Sequence, residues 1–486
     1  MNKDSVTSRR RKRVATILKW SEKTIPERHK WIRRNSYFHR VDRDYLRFLI
    51  PQNLRILEFG CATGDVLAAL SPSLGIGVDI SPKAIRLASN AHPEIEFLVG
   101  DIEDSDLIEQ LTSYGPFDVI LLDSTFGYLS DIQTFLDNIR PLFNPNTRLI
   151  STYHSYLWDP LFRLAGLLQF RMPTPELAWL KMRDIENFVS LTGFETVKQE
   201  WRVMLPYHFL GLGPLINRYI ATLPYLRKLC LKHYLVARLK QSLGPLHEPS
   251  ASVVIPCRNE RGNIEAAIKR MPNFCKSLEV IFVEGHSNDR TWEEIQRVQE
   301  QYNSLNIKSI RQPGEGKGDA VRAGFSEATG DLLMILDADL TVPPEDLPKF
   351  YSAIARGEGE FINGSRLVYA MDSQAMRFLN YMANHVFANI FTYLLNQPFT
   401  DTLCGTKVLS RHHYEEIVKN RSYFGEFDPF GDFDLIFGAS KLNLKVLEIP
   451  IRYARRTYGE TQISRFRHGL LLLRMVLFSY RKLKAV

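Results

Sequence analysis

At roughly 150 residues per domain, a chain of 486 residues holds two or three domains, and 45% hydrophobic, 24% charged and 11% aromatic residues exclude a wholly disordered or fibrous protein. The net charge of +8 is unevenly spread: residues 1–47 carry fifteen Lys/Arg against five Asp/Glu, residues 452–486 carry nine against one, and the body between them is acidic. Five cysteines without C-x-x-C spacing argue against a disulfide framework or a zinc knuckle and suit a reducing compartment. Residues 1–35 read as a basic arm. Its run Arg9–Arg13 is followed only by Val14–Leu18 before Lys19, too short for a secretory signal, and is expected to be an electrostatic tether. Trp20, Trp31, Tyr37 and Phe38 indicate that the later part packs.

Two segments then each start a strand–turn–helix pattern, at Leu54–Gly60 and at Ala251–Pro256, separated by the Gly/Pro-bearing stretch Ser242–Ser250. The expected organisation is α/β with two domains, 36–245 and 250–486, each built on a parallel sheet. Trp201–Leu243 reads as helices and turns closing the first domain.

In the first domain, Glu58-Phe59-Gly60-Cys61-Ala62-Thr63-Gly64 follows an apolar strand, and Gly60 and Gly64 permit a tight turn beside a ligand. A second strand ends at Asp79, whose carboxylate suits a ribose diol. Glu96–Ile102 and Phe117–Asp123 complete the series. The G-x-G-x-x-G spacing of a dinucleotide loop is absent. The series resembles the class I S-adenosylmethionine-dependent methyltransferases, with a Rossmann-like fold. The resemblance implies that Gly60, Ala62 and Gly64 line the methionine part of the cofactor. It places Asp79 on the ribose and Asp101 and Ile102 around the adenine, with Glu58 supporting the loop. Ala62 stands where a glycine is usual and is expected at negative φ. His154, at the end of the fifth strand, is the candidate base for an unidentified methyl acceptor.

In the second domain, Leu332–Leu336 is an apolar strand running into Asp337-Ala338-Asp339. Carboxylates two apart on an extended strand share a face and suit one hard cation, Mg²⁺ or Mn²⁺, which would neutralise a diphosphate leaving group. Two further strands end in Pro256–Glu260 and Glu284–Thr291. These motifs, with Gly316–Ala320, Asp401–Lys407 and Phe430–Leu435, resemble the family 2 glycosyltransferases of GT-A fold. The resemblance implies that Pro256, Arg258, Asn259, Glu260, Glu284 and Asp289 border the nucleoside of a UDP- or GDP-sugar, with Lys317 on the diphosphate. Arg455-Arg456-Thr457-Tyr458-Gly459-Glu460-Thr461 resembles a loop of the polyprenyl-phosphate branch, and makes Arg455 and Arg456 phosphate clamps. Two acceptors stand open: a glycan hydroxyl, with Asp432 or Asp434 as base, or a polyprenyl phosphate, which needs none.

No apolar run reaches the roughly 18 residues of a spanning helix. The expected location is cytoplasmic, with the basic stretch 465–484 either on an anionic membrane face or packed on its own domain. The expectation is a bifunctional enzyme of surface polysaccharide or glycolipid synthesis. Its alternatives are a polyprenyl-phosphate sugar synthase with an inert or separately acting methyltransferase half, and a nucleic-acid-binding methyltransferase; no specific nucleic acid partner is expected.

Overall fold

A computed structural model describes residues 3–172, 174–175, 178, 180–241, 248–368, 378–423, 433–454, 456, 458 and 465–485, with side chains from 11 onward except those of 378–382 and 465–469. The chain divides into two compact units, Met1–Lys240 with Lys484–Val486, and Gln241–Leu483.

The first unit holds strands β1 (Arg55–Phe59), β2 (Leu74–Asp79), β3 (Glu96–Val99), β4 (Val119–Asp123), β5 (Arg148–His154), β6 (Phe194–Arg202) and β7 (Lys232–Leu239), in sheet order β3-β2-β1-β4-β5-β7-β6. β1 to β5 are parallel, and the apolar runs of β1, β2, β4 and β5 are buried on both faces, as in Ile56 with Leu57 and Ile120 with Leu121. β7 runs antiparallel to both β5 and β6. The sheet is therefore mixed, which corrects the expectation of a parallel one. β7 also corrects the helical reading of Trp201–Leu243: Lys232 and Arg238 are buried charges within a strand, so its pattern is not the apolar run of its neighbours. The basic N-terminal segment is helical over Lys3–Thr24, Arg28–Arg34 and Ser36–Leu49.

The C-terminal residues assigned to this unit are tied into it. Lys484 Nζ pairs with Glu200 at 2.5 Å, both buried, and Arg202 donates to the Lys484 carbonyl.

The second unit holds β8 (Ala251–Cys257), β9 (Leu278–Glu284), β10 (Asn306–Arg311), β11 (Leu332–Ile335), β12 (Phe361–Ser365), β13 (Lys407–Ser410) and β14 (Val446–Pro450), in order β10-β9-β8-β11-β13-β12-β14. β13 is antiparallel to β11 and β12, and the remaining neighbours are parallel, so this sheet too is mixed. Val253, Ile255, Phe282 and Met334 form the centre of its core. The helix Arg465–Ser479 buries Leu472 and Met475 and exposes Leu470, Leu473 and Leu477. Among the described residues no helix is long and apolar enough to cross a membrane.

Candidate functional sites

In the first sheet the chain runs outward from β1 to β3, then restarts on the other side of β1 with β4 and β5. The crevice between β1 and β4 is thus a topological switch point, where open α/β sheets take ligands. A cavity of about 640 Å³ lies there, within the range of small-molecule sites. Glu58, Gly60, Ala62, Asp79, Asp101, Ile102 and His154 all line it, so the strand ends bring these sequence-predicted residues together. Gly64 caps the following short helix at φ +74°.

Gly60, at φ +76°, is required on two counts, since a Cβ there would lie 2.8 Å from Thr125 Oγ1. Ala62 has φ +48°, not the negative value expected. Its amide donates to Asp79 Oδ2 at 2.9 Å, and the Ser81 amide donates to Oδ1 at 2.9 Å, so one carboxylate fixes both loops. Burial raises the Asp79 pKa, opposed by those two amides. Asp101 Oδ1 accepts the Glu103 amide at 3.1 Å. Glu58 is 2% exposed and its Oε2 has no hydrogen-bond partner; burial, then the charge of Asp123, hold its pKa well above the ordinary value.

The other wall carries groups that motif reading missed. Lys232 Nζ, on β7, pairs with Asp42 at 2.5 Å and Asp123 at 2.8 Å, and the Tyr234 hydroxyl donates to Asp42. Burial raises Asp42, whereas at Asp123 burial is overcome by the charge and hydrogen bond of Lys232 with the hydrogen bond of Thr152, and the pKa is lowered. His154 stacks with Phe38 at 6.1 Å between ring centroids. Burial, then the charges of Arg171 and Lys232, hold its imidazole well below the usual range and therefore neutral. The N-terminal helices complete the enclosure. Trp20 and Arg28 line the cavity, and Arg13 donates to the Tyr128 carbonyl at 2.9 Å and to that of Gly127. A fixed Arg13 replaces the tether expected for this run. Sequence offered one clue, the aromatics interleaved with the basic residues.

In the second unit the C-terminal ends of β8, β9 and β11 lie side by side. Pro256 is the penultimate residue of β8, Arg258 is exposed, and Asn259, at φ +55°, accepts the Asn288 amide at 2.8 Å. Glu284 is buried and accepts the Ser287 amide at 2.6 Å, so it shapes the loop. Asp289 accepts the amides of Arg261 and Thr291 and the Tyr458 hydroxyl. β11 stops at Ile335, and Asp337 and Asp339 lie beyond it in a turn where the Leu340 amide donates to the Asp337 carbonyl. The shared face of an extended strand is therefore not what orients them.

Each carboxylate has its own cation. Lys317 Nζ meets Asp337 at 2.7 Å, and Arg456 Nη2 bridges Asp339 and Glu260 at 3.0 Å each. Burial pushes the Asp337 pKa up, but the charge and hydrogen bond of Lys317 together with the charges of Lys407 and Arg366 hold it below the usual range. A Cβ on Gly405 would come 1.9 Å from Asp337 Oδ2, so only glycine admits this approach. The Gly405 loop is anchored by Asp401, which takes a bidentate pair from Arg366 at 2.6 and 2.8 Å. Asp434 pairs with Arg421 at 2.8 Å. Asp432 and Arg455 lie outside the described residues.

Residues 32–199 match the family model described as a methyltransferase domain, and residues 252–417 match glycosyl transferase family 2. The chain carries a methyltransferase domain followed by a family 2 glycosyltransferase domain. A dolichol-phosphate mannosyltransferase of Pyrococcus furiosus is 32% identical over 220 residues, 44% of this chain; the chain spans 59% of that relative's length. A solved S-adenosylmethionine-dependent methyltransferase of Thermotoga maritima is 15% identical, with 46% of this chain and all of that one covered at a TM-score of 0.35. Glucosyl-3-phosphoglycerate synthase of Mycobacterium tuberculosis, solved with UDP, is 17% identical, with 50% and 86% covered at a TM-score of 0.37. Both domains are α/β, the first methyltransferase-like and the second GT-A-like.

The methyltransferase domain fits a cationic, hydrogen-bonding cofactor: the unpartnered Glu58 oxygen is a buried acceptor beside Asp79 and the cavity. In the glycosyltransferase domain, Asp337 and Asp339 are hard oxygen donors of the type a divalent ion takes. Among the described residues no group of three or more His, Cys, Asp or Glu stands where it could hold a metal.

Proposed function

We propose that the chain is a bifunctional transferase, with S-adenosylmethionine-dependent methyl transfer in the first unit and metal-assisted inverting glycosyl transfer from a UDP- or GDP-sugar in the second. The methyl-transfer reading is carried by the unpartnered Glu58 oxygen in a cavity at the switch point. S-adenosylmethionine, when bound, supplies an electrophilic methyl group. Glu58, held neutral by burial, would ionise against its positive charge, Asp79 would accept from its ribose, and Asp101 and Ile102 would border its adenine. Neutral His154 is placed to accept a proton from an acceptor hydroxyl. Lys232, Asp42 and Asp123 hold the opposite wall rigid. A cavity built from buried charged groups disfavours an inert half. Calorimetric titration of the full chain with S-adenosylmethionine is the test, and absence of binding by folded protein would end this half of the reading.

The glycosyl-transfer reading is carried by Arg456, which ties Glu260 at one strand end to Asp339 at another. Asp337 and Asp339 would hold a divalent ion, which when bound supplies positive charge to a diphosphate leaving group. Lys317 and Arg456 are then the cations left to meet its oxygens. Arg258, Asn259, Glu284 and Asp289 border the nucleoside through the loops they shape. The Arg421 pair occupies Asp434, one of the two candidate bases. We favour a polyprenyl phosphate, in keeping with the name of the Pyrococcus relative. Turnover of UDP- and GDP-sugars with polyprenyl phosphate, with Mn²⁺, Mg²⁺ or chelator, tests this. Full activity in chelator removes the metal, and transfer only to a glycan hydroxyl removes the phosphate acceptor.

A further inference from the structure

Most of the large apolar side chains exposed among the described residues fall in two segments of the methyltransferase domain, 156–170 and 207–229. Leu167 is 82% exposed and Tyr225 86%. The segments meet where Trp158 Nε1 donates to the Leu229 carbonyl at 2.8 Å and the Ser155 amide to that of Leu231 at 2.8 Å. A soluble protein rarely leaves so large an apolar surface uncovered unless something docks on it.

The charge pattern decides what docks. From Trp201 to His247 the sequence has no Asp or Glu, while Arg218 and Lys228 stand exposed among the leucines and tyrosines. In the other segment Asp159 is paired by Arg163 at 2.8 Å. A second copy packed face to face would set cation against cation. An anionic bilayer instead takes leucines below its headgroups, tyrosines among them and cations at the phosphates.

We propose that the methyltransferase domain docks on anionic lipid through this face, with its cavity opening at the lipid surface. The helix Asp159–Leu167 shows the coupling. Its Leu161, Phe162 and Ala165 line the cavity, whereas Leu164 and Leu167 point to solvent. Tyr207 likewise lines the cavity, and Phe209 and Leu210 beyond it are exposed. An acceptor with a lipid anchor would reach the cavity without leaving the bilayer. The docking itself does not depend on what the cavity binds.

The test is flotation of the full chain with vesicles of phosphatidylcholine, with and without phosphatidylglycerol. Wild type should float with the anionic vesicles and lose partition as salt rises. The double substitution Leu167→Asp with Leu210→Asp should cut partition about tenfold or more, with an unchanged unfolding midpoint. Arg218→Glu with Lys228→Glu should do so for anionic vesicles without touching the apolar side chains. No flotation of folded wild type, or full flotation of Leu167→Asp with Leu210→Asp, overturns the proposal. Loss of flotation only on Leu470→Asp with Leu473→Asp would place the lipid contact in the other domain and also overturn it. A wild-type dimer dissolved by the Leu167 and Leu210 substitutions would make the face a self-association surface instead.

Discussion

Ala62 holds a left-handed backbone that costs a Cβ-bearing residue about 1–2 kcal/mol. Ala62→Gly should therefore stabilise the methyltransferase domain by about 0.5–1 kcal/mol after the added unfolded-chain entropy, measured by chemical denaturation. Glu58 gives a pH signature. Its folded pKa is raised above the ordinary 4.5, so its stabilising contribution is complete below that value and lost as pH rises through the folded pKa. Glu58→Gln should exceed wild type in unfolding midpoint by a margin that grows with pH. The gain is about 1.4 kcal/mol for each unit of the raised pKa. At Asp339 repulsion from Asp337 would make an Asn substitution harmless or stabilising in the metal-free protein, were the two carboxylates unpaired. The structure reverses that sign, because Arg456 meets Asp339 and Lys317 meets Asp337. Asp339→Asn should cost about 1–2 kcal/mol in thermal unfolding and also abolish metal-dependent donor turnover.

At the scale of elements, what the sequence made legible was apolar strands that end in polar turns. β1, β4, β8, β9 and β11 announce themselves by continuous burial, and each delivers a motif residue to its sheet edge. What it hid were the partners of those residues, since Lys317 reaches Asp337 from the start of the helix Lys317–Glu327, and Gly405 and Arg456 reach the two carboxylates from separate loops. β7 was hidden for a different reason. Its lysine and arginine are signals of exposure in any local reading, yet Lys232 is buried because two distant carboxylates, Asp42 and Asp123, surround it. Lys232→Met should leave those carboxylates uncompensated and destabilise the first unit by about 3–5 kcal/mol. The corresponding unfolding transition in calorimetry checks it. Retention of that transition with loss of methyl transfer alone would make Lys232 a group of the reaction rather than of the fold.

For the molecule as a whole, charge by position proved a partial guide. The basic N-terminal segment is cavity wall, and Arg13, Arg28 and Arg34 act through specific carbonyl or hydroxyl contacts, such as Arg28 to Thr63 at 3.1 Å. The basic C-terminus has a second consequence, in the order of synthesis. Lys484 leaves the ribosome only after the whole second unit, yet its ammonium belongs to the buried cluster of Glu200, Arg202 and Arg227 in the first unit. Domains usually fold as they emerge, N-terminal first. Here the domain made first waits, with Glu200 short of one partner, until the domain made second has been translated. A chain stopped at Leu483 should keep the glycosyltransferase transition and lose about 3 kcal/mol from that of the methyltransferase domain. Nascent chains stalled before Lys484 emerges should be cleaved by protease in the first half more readily than released ones.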